Sequence, residues 1–240
     1  MKYTALIPVK TLALAKSRLA AHLSQGQRAR LVLDMLQHVV LTLNESEIFE
    51  QVYVVSADPQ VLELVQHWGA EPLRETQEGH NPALQAAAQT ILERAAWRHG
   101  LYSLWDVLQR QGSQERQNAA DGTAAPLESL GLLTISADLP LLTQADIRAL
   151  IVQAERSQIV LAGSQDGTGT NAILMRPPLA LPYLFGLNSL PAYVQAARQR
   201  QVSYTRVENA NLALDIDTID DLHALEQCNR VWSSVASLAM

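Results

Sequence analysis

The chain has 240 residues, of which 48% are hydrophobic and 18% are charged, a composition that provides a buried core and argues against a disordered chain. Its formal net charge of -6 gives no electrostatic reason to expect binding to nucleic acid or to anionic lipid. Because Cys228 is the single cysteine, the sequence excludes an intramolecular disulfide and a metal site built from several cysteines.

The apolar runs of the sequence are all short. The run at residues 3–9 is too short for a signal peptide, and no small-residue cleavage site follows it. No uncharged stretch approaches the ~18 residues that are needed to cross a bilayer. We therefore expect a cytoplasmic protein that acts on neither nucleic acid nor a membrane.

Short apolar runs alternate with amphipathic stretches along most of the chain. The runs are typical of buried strands, whereas the stretches repeat apolar residues at helical spacing behind capping residues such as Ser24, Asp58 and Thr143. This alternation predicts an α/β fold with a mainly parallel central sheet and helices on both faces. The predicted strands are residues 3–9, 52–55, 71–73, 132–135, 159–162, 172–175 and 202–207, and the predicted helices begin near residues 24, 58, 82, 143, 191 and 218.

Residues 99–128 interrupt this alternation. The part at 109–125 is rich in Gln, Ser, Gly, Asn and Ala and lacks a sustained apolar face. We interpret the interruption as a surface insertion in a single domain that spans residues 1–240. The apolar residues at 101–108 either extend the preceding helix or pack against another subunit, so a homodimer is one expectation.

Three basic side chains, Lys10, Lys16 and Arg18, lie within nine residues just after the first predicted strand. Open parallel sheets bind ligands beyond the carboxyl ends of their strands, where a basic loop can neutralise a triphosphate and stabilise a departing pyrophosphate. Taken alone, the segment also fits a solvated basic stretch, and it contains no Walker-type glycine–lysine motif. A buried structural role for a loop lysine such as Lys16 is not expected.

Three aspartates are expected at the ends of two other strands. Asp138 emerges from the apolar run before it, and Asp215 and Asp217 face the same way if their backbone is extended. Their repulsion requires a cation or a basic group, and Mg2+ prefers carboxylate and phosphate oxygens, so all three are candidate ligands of one or two Mg2+ ions. The competing interpretation is helix capping. It fits Asp217 better than Asp215, and Thr143 is better placed than Asp138 to cap the helix there.

Two glycine-containing segments, residues 164–171 and 185–189, carry neutral hydrogen-bond donors. Closely spaced glycines let backbone amides approach an anion, and Thr170, Asn171 and Ser189 can donate to carboxylate or phosphate oxygens. Such segments between strands are more often simple turns. Four clusters are thus expected at or just after strand ends: the basic segment, Asp138, the pair Asp215 and Asp217, and the glycine-containing segments. Their common position favours a single ligand site.

Read in order, these segments resemble the CofC/FbiD family of guanylyltransferases of coenzyme F-420 biosynthesis. The resemblance spans nearly the whole chain, and it departs from the family pattern in the long segment at 99–128 and in the turn FGLNS at 185–189. The matching sequences are IPVK at 7–10, AKSRL at 15–19, VVSAD at 54–58, SADLPLL at 136–142, DGTGTNA at 166–172 and LALDIDT at 212–218.

The resemblance implies a nucleotide-diphospho-sugar transferase-like fold and a specific reaction. GMP would pass from GTP to phosphoenolpyruvate or 2-phospho-L-lactate, with release of pyrophosphate and with Mg2+ as the cofactor. The implied residues are Lys10, Lys16 and Arg18 as catalytic contacts of the GTP phosphates, Asp138, Asp215 and Asp217 as metal ligands, Ser56, Glu75, Asn81 and Ser136 on the nucleotide side, and Thr170, Asn171, Gly186 and Ser189 on the acid side.

Two other functions remain open at this point. A related nucleotidyl- or glycosyltransferase would use the same nucleotide and metal with another acceptor. A non-catalytic nucleotide-binding or scaffold protein would bind GTP without releasing pyrophosphate and would use the insertion as its partner surface. The presence of all three acidic and all three basic candidates argues against this last alternative.

Overall fold

The computed structural model describes residues 2–98 and 130–227. The predicted insertion at 99–128, its expected role in a homodimer and Cys228 lie outside these residues. Within the described ranges, no helix is both long and apolar enough to span a bilayer.

A seven-stranded sheet lies at the centre of the described chain, in the order β3-β2-β1-β4-β6-β5-β7. Strand β6 runs antiparallel to its neighbours β4 and β5, and the other neighbouring pairs are parallel. The prediction of a mainly parallel sheet is therefore confirmed. The strands are β1 Lys2–Val9, β2 Phe49–Ser56, β3 Glu71–Arg74, β4 Leu130–Ile135, β5 Ile159–Gly163, β6 Thr170–Met175 and β7 Tyr204–Val207.

Helices cover both faces of this sheet. Helices α1, α2 and α4 pack with one face in one buried cluster, and α3 and α5 pack with the opposite face in a second. The helices are α1 Gln25–Glu45, α2 Pro59–His67, α3 His80–Arg98, α4 Gln144–Ala154, α5 Ser189–Gln199, α6 Ala210–Ala213 and α7 Ile219–Gln227.

The predicted helix starts follow from local capping. Ser24 accepts a hydrogen bond from the backbone N–H of Gln27 in a capping box at the start of α1. Asp58 accepts from the N–H of Gln60 and is followed by a proline at the first position of α2. These caps confirm the two helix starts that the sequence predicts.

The segment before Asp215 differs from the prediction. Residues 210–213 form the short helix α6, so Asp215 and Asp217 lie in a loop between two helices and not at the end of a strand. The reason is local: the side-chain oxygen of Asn209 accepts from the N–H groups of Asn211 and Leu212 and caps a helical turn.

Candidate active site

The basic loop that follows β1 is tied to its surroundings at several points. The N–H of Leu12 donates to Asp58 Oδ2 at 2.9 Å, which joins the loop to the end of β2. Arg28 of α1 donates to the carbonyl oxygens of Ala15, at 3.3 Å, and Leu23, at 3.0 Å. These bonds fix the path of the loop at the carboxyl edge of the sheet.

Lys16 occupies an unusual position in this loop. Its backbone is left-handed, with φ 51° and ψ 44°, a conformation that is uncommon for residues other than glycine. Its side chain is only 7% exposed, and its ammonium group donates to Asp138 and, at 2.9 Å, to Asp217. The expectation that a loop lysine has no buried role is therefore wrong, because two carboxylates compensate its buried charge.

Asp138, Asp215 and Asp217 form what we call the aspartate cluster. One carboxylate oxygen from each lies within 4.8 Å of the other two, so the structure brings together the three candidate metal ligands. Lys16 pairs with Asp138 and Asp217. Asp215 instead accepts a hydrogen bond from the neutral amide of Asn171 at 3.1 Å.

The pKa values of Asp215 and Asp217 are shifted in opposite directions. Burial, followed by the charge of Asp138, raises the pKa of Asp215 to about 6 from a usual 3.8. Burial also acts to raise the pKa of Asp217, but the charges of Lys16, Arg18 and other cations outweigh it and hold that pKa below its usual value. Of these two carboxyl groups, basic side chains therefore stabilise the charged form of Asp217 but not that of Asp215.

The loop that carries Asp215 and Asp217 is anchored by apolar residues between its acidic ones. Leu214 and Ile216 are buried in a cluster with Leu19 of the basic loop. Because buried and acidic residues alternate, both carboxylates face the same side, as the sequence predicts for an extended backbone. The same packing brings the basic and acidic loops together.

Helix capping does not account for the acidic candidates. Thr143 caps α4 by accepting from the N–H of Asp146, as expected, while Asp138 faces Lys16. At the start of α7, Asp221 accepts from the N–H and the hydroxyl of Thr218. The carboxylate of Asp217 points to basic side chains, including Arg18 at 3.6 Å.

A small pocket lies at the carboxyl edge of the sheet, past the ends of β1 and β2. Its lining residues are Pro8, Val9, Lys10, Val55, Glu75 and three residues of α3, His80, Ala83 and Leu84. Partial desolvation of the imidazole ring, and then the charge of Lys10, lowers the pKa of His80. The sequence did not indicate His80 as a site residue, because no motif distinguishes it from other residues at a helix start.

The other nucleotide-side candidates have structural partners. The hydroxyl of Ser56 is buried and accepts from the N–H of Asp58 at 3.0 Å. The amide of Asn81 both donates to and accepts from the backbone of Phe185, at 2.9 Å in each case. Asn81 thus lies against the segment that contains the acid-side candidate Gly186. The backbone N–H of Ser136 donates to the backbone carbonyl oxygen of Asn171 at 2.8 Å.

The acid-side candidates fall into two environments. Thr170 and Ser189 are buried, and the Ser189 hydroxyl donates to that of Thr170 at 3.1 Å. Gly186 has φ +128° and open space at its Cα, a conformation that favours glycine. The glycine-rich residues 164–169 form a turn between β5 and β6, where Asp166 accepts from Ser164 and Thr168. This turn matches the simpler of the two interpretations of that segment.

The sheet order and the helices on both faces give this chain the fold of the nucleotide-diphospho-sugar transferase class of α/β proteins. A solved structure of a Desulfovibrio desulfuricans protein assigned to that class matches 99% of this chain and 94% of its own, with a TM-score of 0.69 and 15% identity. CMP:2-keto-3-deoxy-manno-octonic acid synthetase, solved with CTP, matches with a TM-score of 0.54 and 12% identity over 95% of this chain and 98% of its own. The chain belongs to the family of CofC-like guanylyltransferases, whose family profile matches residues 3–96 and 106–226.

Relatives within this family are similar over almost their whole length. The phosphoenolpyruvate guanylyltransferase of Rubrobacter xylanophilus is 37% identical over 94% of each chain. That of Sphaerobacter thermophilus is 34% identical over 94% of this chain and 93% of its own. The 3-phospho-D-glycerate guanylyltransferase of Colwellia psychrerythraea is 29% identical over 94% of this chain and 91% of its own. The protein is therefore an enzyme, a guanylyltransferase.

Proposed function

We propose that this enzyme transfers GMP from GTP to the phosphate of phosphoenolpyruvate, with release of pyrophosphate and with Mg2+ as the cofactor. The observation that carries the proposal is the aspartate cluster joined to Lys16 at the carboxyl edge of the sheet, in a chain whose family is that of guanylyltransferases. Two relatives named phosphoenolpyruvate guanylyltransferases support the choice of acceptor. On the basis of the family resemblance, we also propose that the reaction belongs to coenzyme F-420 biosynthesis and that the enzyme is cytoplasmic.

The proposed reaction requires that the acceptor phosphate be aligned with GTP and that the negative charge of the phosphates be neutralised. The acceptor phosphate is already an anionic nucleophile, so its oxygen can form a bond to the α-phosphorus of GTP while the bond from that phosphorus to the β-phosphate oxygen breaks. No general base is required, and the electron pair leaves with pyrophosphate. Lys10 and Arg18, both exposed, are placed to meet the phosphates.

The donor set of the aspartate cluster fits Mg2+. Three carboxylate oxygens within 4.8 Å of one another are the hard ligands that Mg2+ prefers, usually together with phosphate oxygens of a substrate. When bound, Mg2+ supplies positive charge to the phosphate oxygens. Lys16 holds Asp138 and Asp217 together and adds a fixed charge next to the proposed metal ligands.

The pocket of Lys10, Glu75 and His80 has a volume of about 20 Å³, which is enough for little more than a water molecule, so the guanine base is proposed to lie at its open side against Glu75. The residues that line it besides these three are apolar, a combination of apolar and a few polar side chains that is typical of ligand sites. Guanine presents two adjacent donors, N1–H and the 2-amino group. One carboxylate can accept a hydrogen bond from each of them. Glu75 is the carboxylate in the lining of this pocket and is therefore the proposed determinant of base selectivity.

Replacing Glu75 with glutamine is expected to lower kcat/KM for GTP about 10- to 100-fold, because the amide places a donor against a guanine donor. The preference for GTP over ITP, which lacks the 2-amino group, should shrink. Steady-state kinetics with both nucleotides measure this. The matched control is Glu78→Gln, in an exposed residue of the same loop. An unchanged ratio of GTP to ITP efficiency in Glu75→Gln would show that another group reads the base.

The acceptor is tested by a direct comparison of three phosphoacids. Pyrophosphate release from GTP and Mg2+ is measured with phosphoenolpyruvate, 2-phospho-L-lactate or 3-phospho-D-glycerate in parallel reactions. We expect phosphoenolpyruvate to give the highest kcat/KM. Higher efficiency with either other acid would reassign the acceptor, and activity with none of them would favour a related nucleotidyl- or glycosyltransferase with a different acceptor.

A further inference from the structure

Asp146 is a buried carboxylate that lies outside the aspartate cluster. It is 6% exposed and belongs to the first turn of α4. One of its oxygens accepts from the N–H of Thr143 at 2.8 Å and from the Thr143 hydroxyl at 2.6 Å. These two bonds complete the cap of α4, yet Asp146 makes two further bonds that a cap does not require.

The two further bonds come from the segment around α6. Asn209 donates its side-chain amide to Asp146 at 2.6 Å, and Asn211 donates its own at 3.0 Å. Charged hydrogen bonds of this kind are stronger than neutral ones. The loop from β4 to α4, which carries Asp138, is thereby joined to the segment that leads to Asp215.

The other end of α6 is held from β6 by Asn171. Its side-chain amide lies 3.0 Å from the carbonyl oxygen of Leu212, 3.3 Å from that of Ala213 and 3.1 Å from Asp215 Oδ1. Asn171 is 4% exposed. The amide therefore satisfies the last carbonyl groups of a four-residue helix and touches a proposed metal ligand directly.

A helix of four residues has too few internal hydrogen bonds to be stable by itself. The position of α6 must come from the groups that hold its two ends, Asp146 at the start and Asn171 at the end. Because Asp215 follows α6 by two residues, a shift of this helix moves Asp215 relative to Asp138. Partners that orient metal ligands in this way commonly affect metal affinity.

We propose that Asp146 and Asn171 are positioning residues that hold α6 at both ends and so set the geometry of the aspartate cluster. This inference rests on the proposed function, in which the cluster binds a divalent cation. It assigns Asn171 to the support of a metal ligand, whereas the family resemblance implies a contact with the acid.

The test measures metal binding without turnover. Free Mn2+ is followed by electron paramagnetic resonance in the presence of GTP and without an acceptor. The first variant is the double replacement Asn209→Ser and Asn211→Ser, which removes both amides that reach Asp146 while serine still caps α6. The second is Asn171→Ser. We expect Mn2+ affinity to fall about 10- to 100-fold in each.

A matched control separates positioning from general stability. Asn44 donates its side-chain amide to the carbonyl oxygen of Trp68 at 3.0 Å, near the end of α1 and at the opposite edge of the sheet from the aspartate cluster. Asn44→Ser removes a similar bond between elements. Thermal unfolding of all variants shows the loss of stability, and Mn2+ affinity should stay within about twofold of the wild type in Asn44→Ser alone.

Three outcomes would overturn the inference or part of it. If Mn2+ affinity is unchanged both in the Asn209→Ser, Asn211→Ser double variant and in Asn171→Ser, and both have a lower unfolding midpoint as in Asn44→Ser, the hydrogen bonds at the two ends of α6 are purely structural. A higher KM for the acid in Asn171→Ser, with normal Mn2+ affinity, would show that Asn171 contacts the acid, as the family resemblance implies. A wild-type protein that binds no Mn2+ with GTP refutes the metal site of the proposed function, and the inference with it, and is distinct from the other two results.

Discussion

Replacement of Asp215 by asparagine is expected to make the metal-free protein more stable while turnover falls by about 100-fold or more. The pKa of this carboxyl group is about 6 in the folded protein, against 3.8 ordinarily, through burial and then the charge of Asp138. Because the folded pKa is the higher one, its favourable contribution to folding is complete below pH 3.8 and is lost as the pH rises through 6. At neutral pH the ionised carboxylate destabilises the fold by about 1–3 kcal/mol, which asparagine removes.

Thermal unfolding in EDTA, from pH 4 to pH 8, checks this prediction together with the kinetics. The difference in unfolding midpoint between Asp215→Asn and wild type should appear across about pH 4–6 and persist above it. Asp220→Asn is the control, since Asp220 is an exposed carboxylate nearby in α7. Near-normal turnover in Asp215→Asn, or a stability difference that is independent of pH, would refute the assignment of Asp215 to a charged metal site.

Replacement of Lys16 by methionine is expected to have the opposite effect on stability and a similar effect on rate. The change leaves Asp138 and Asp217 without the ammonium group that lies between them. The metal-free protein should lose about 1–3 kcal/mol of stability because partly buried carboxylates are left without their donor. Turnover should fall about 100-fold, since a fixed positive charge near the phosphates is removed.

Added Mg2+ should return more stability to Lys16→Met than to the wild type, because the cation takes the place of the missing charge. Unfolding with and without Mg2+ measures the difference, and Lys2→Met is the control, since Lys2 makes an exposed pair with Glu50 at 3.3 Å that contributes little. If Lys16→Met kept wild-type GTP kinetics, Lys16 would be structural only. Equal gains of stability from Mg2+ in both proteins would separate Lys16 from the metal site.

The features that the sequence predicted well depend on local rules or on the edge of a parallel sheet. The capping residues Ser24, Asp58 and Thr143 mark helix starts because a cap involves residues two or three positions apart. Asp138 follows the carboxyl end of β4, and the chain runs from the carboxyl end of β7 through α6 to Asp215, so both segments begin at the same edge of the sheet. The aspartate cluster could therefore be predicted as a group before its geometry was known.

The features that the sequence did not reveal depend on contacts between distant residues. Lys16 is buried because carboxylates 122 and 201 positions away surround its ammonium group. The pairing of Asn81 with Phe185 spans 104 positions, and the bonds of Asn171 to the end of α6 span more than 40. No periodicity or short motif encodes such pairs, so these roles required the folded structure.

The proposed transfer of GMP is tested most directly by the fate of labelled phosphate. GTP labelled with 32P at the α-phosphorus, and separately at the γ-phosphorus, is incubated with the enzyme, Mg2+ and phosphoenolpyruvate. The account predicts that the α label appears in a guanylylated phosphoenolpyruvate and the γ label in pyrophosphate, with neither product formed when the acceptor is omitted. Appearance of the γ label in free phosphate or in the acceptor product, with the α label left in GDP, would contradict it.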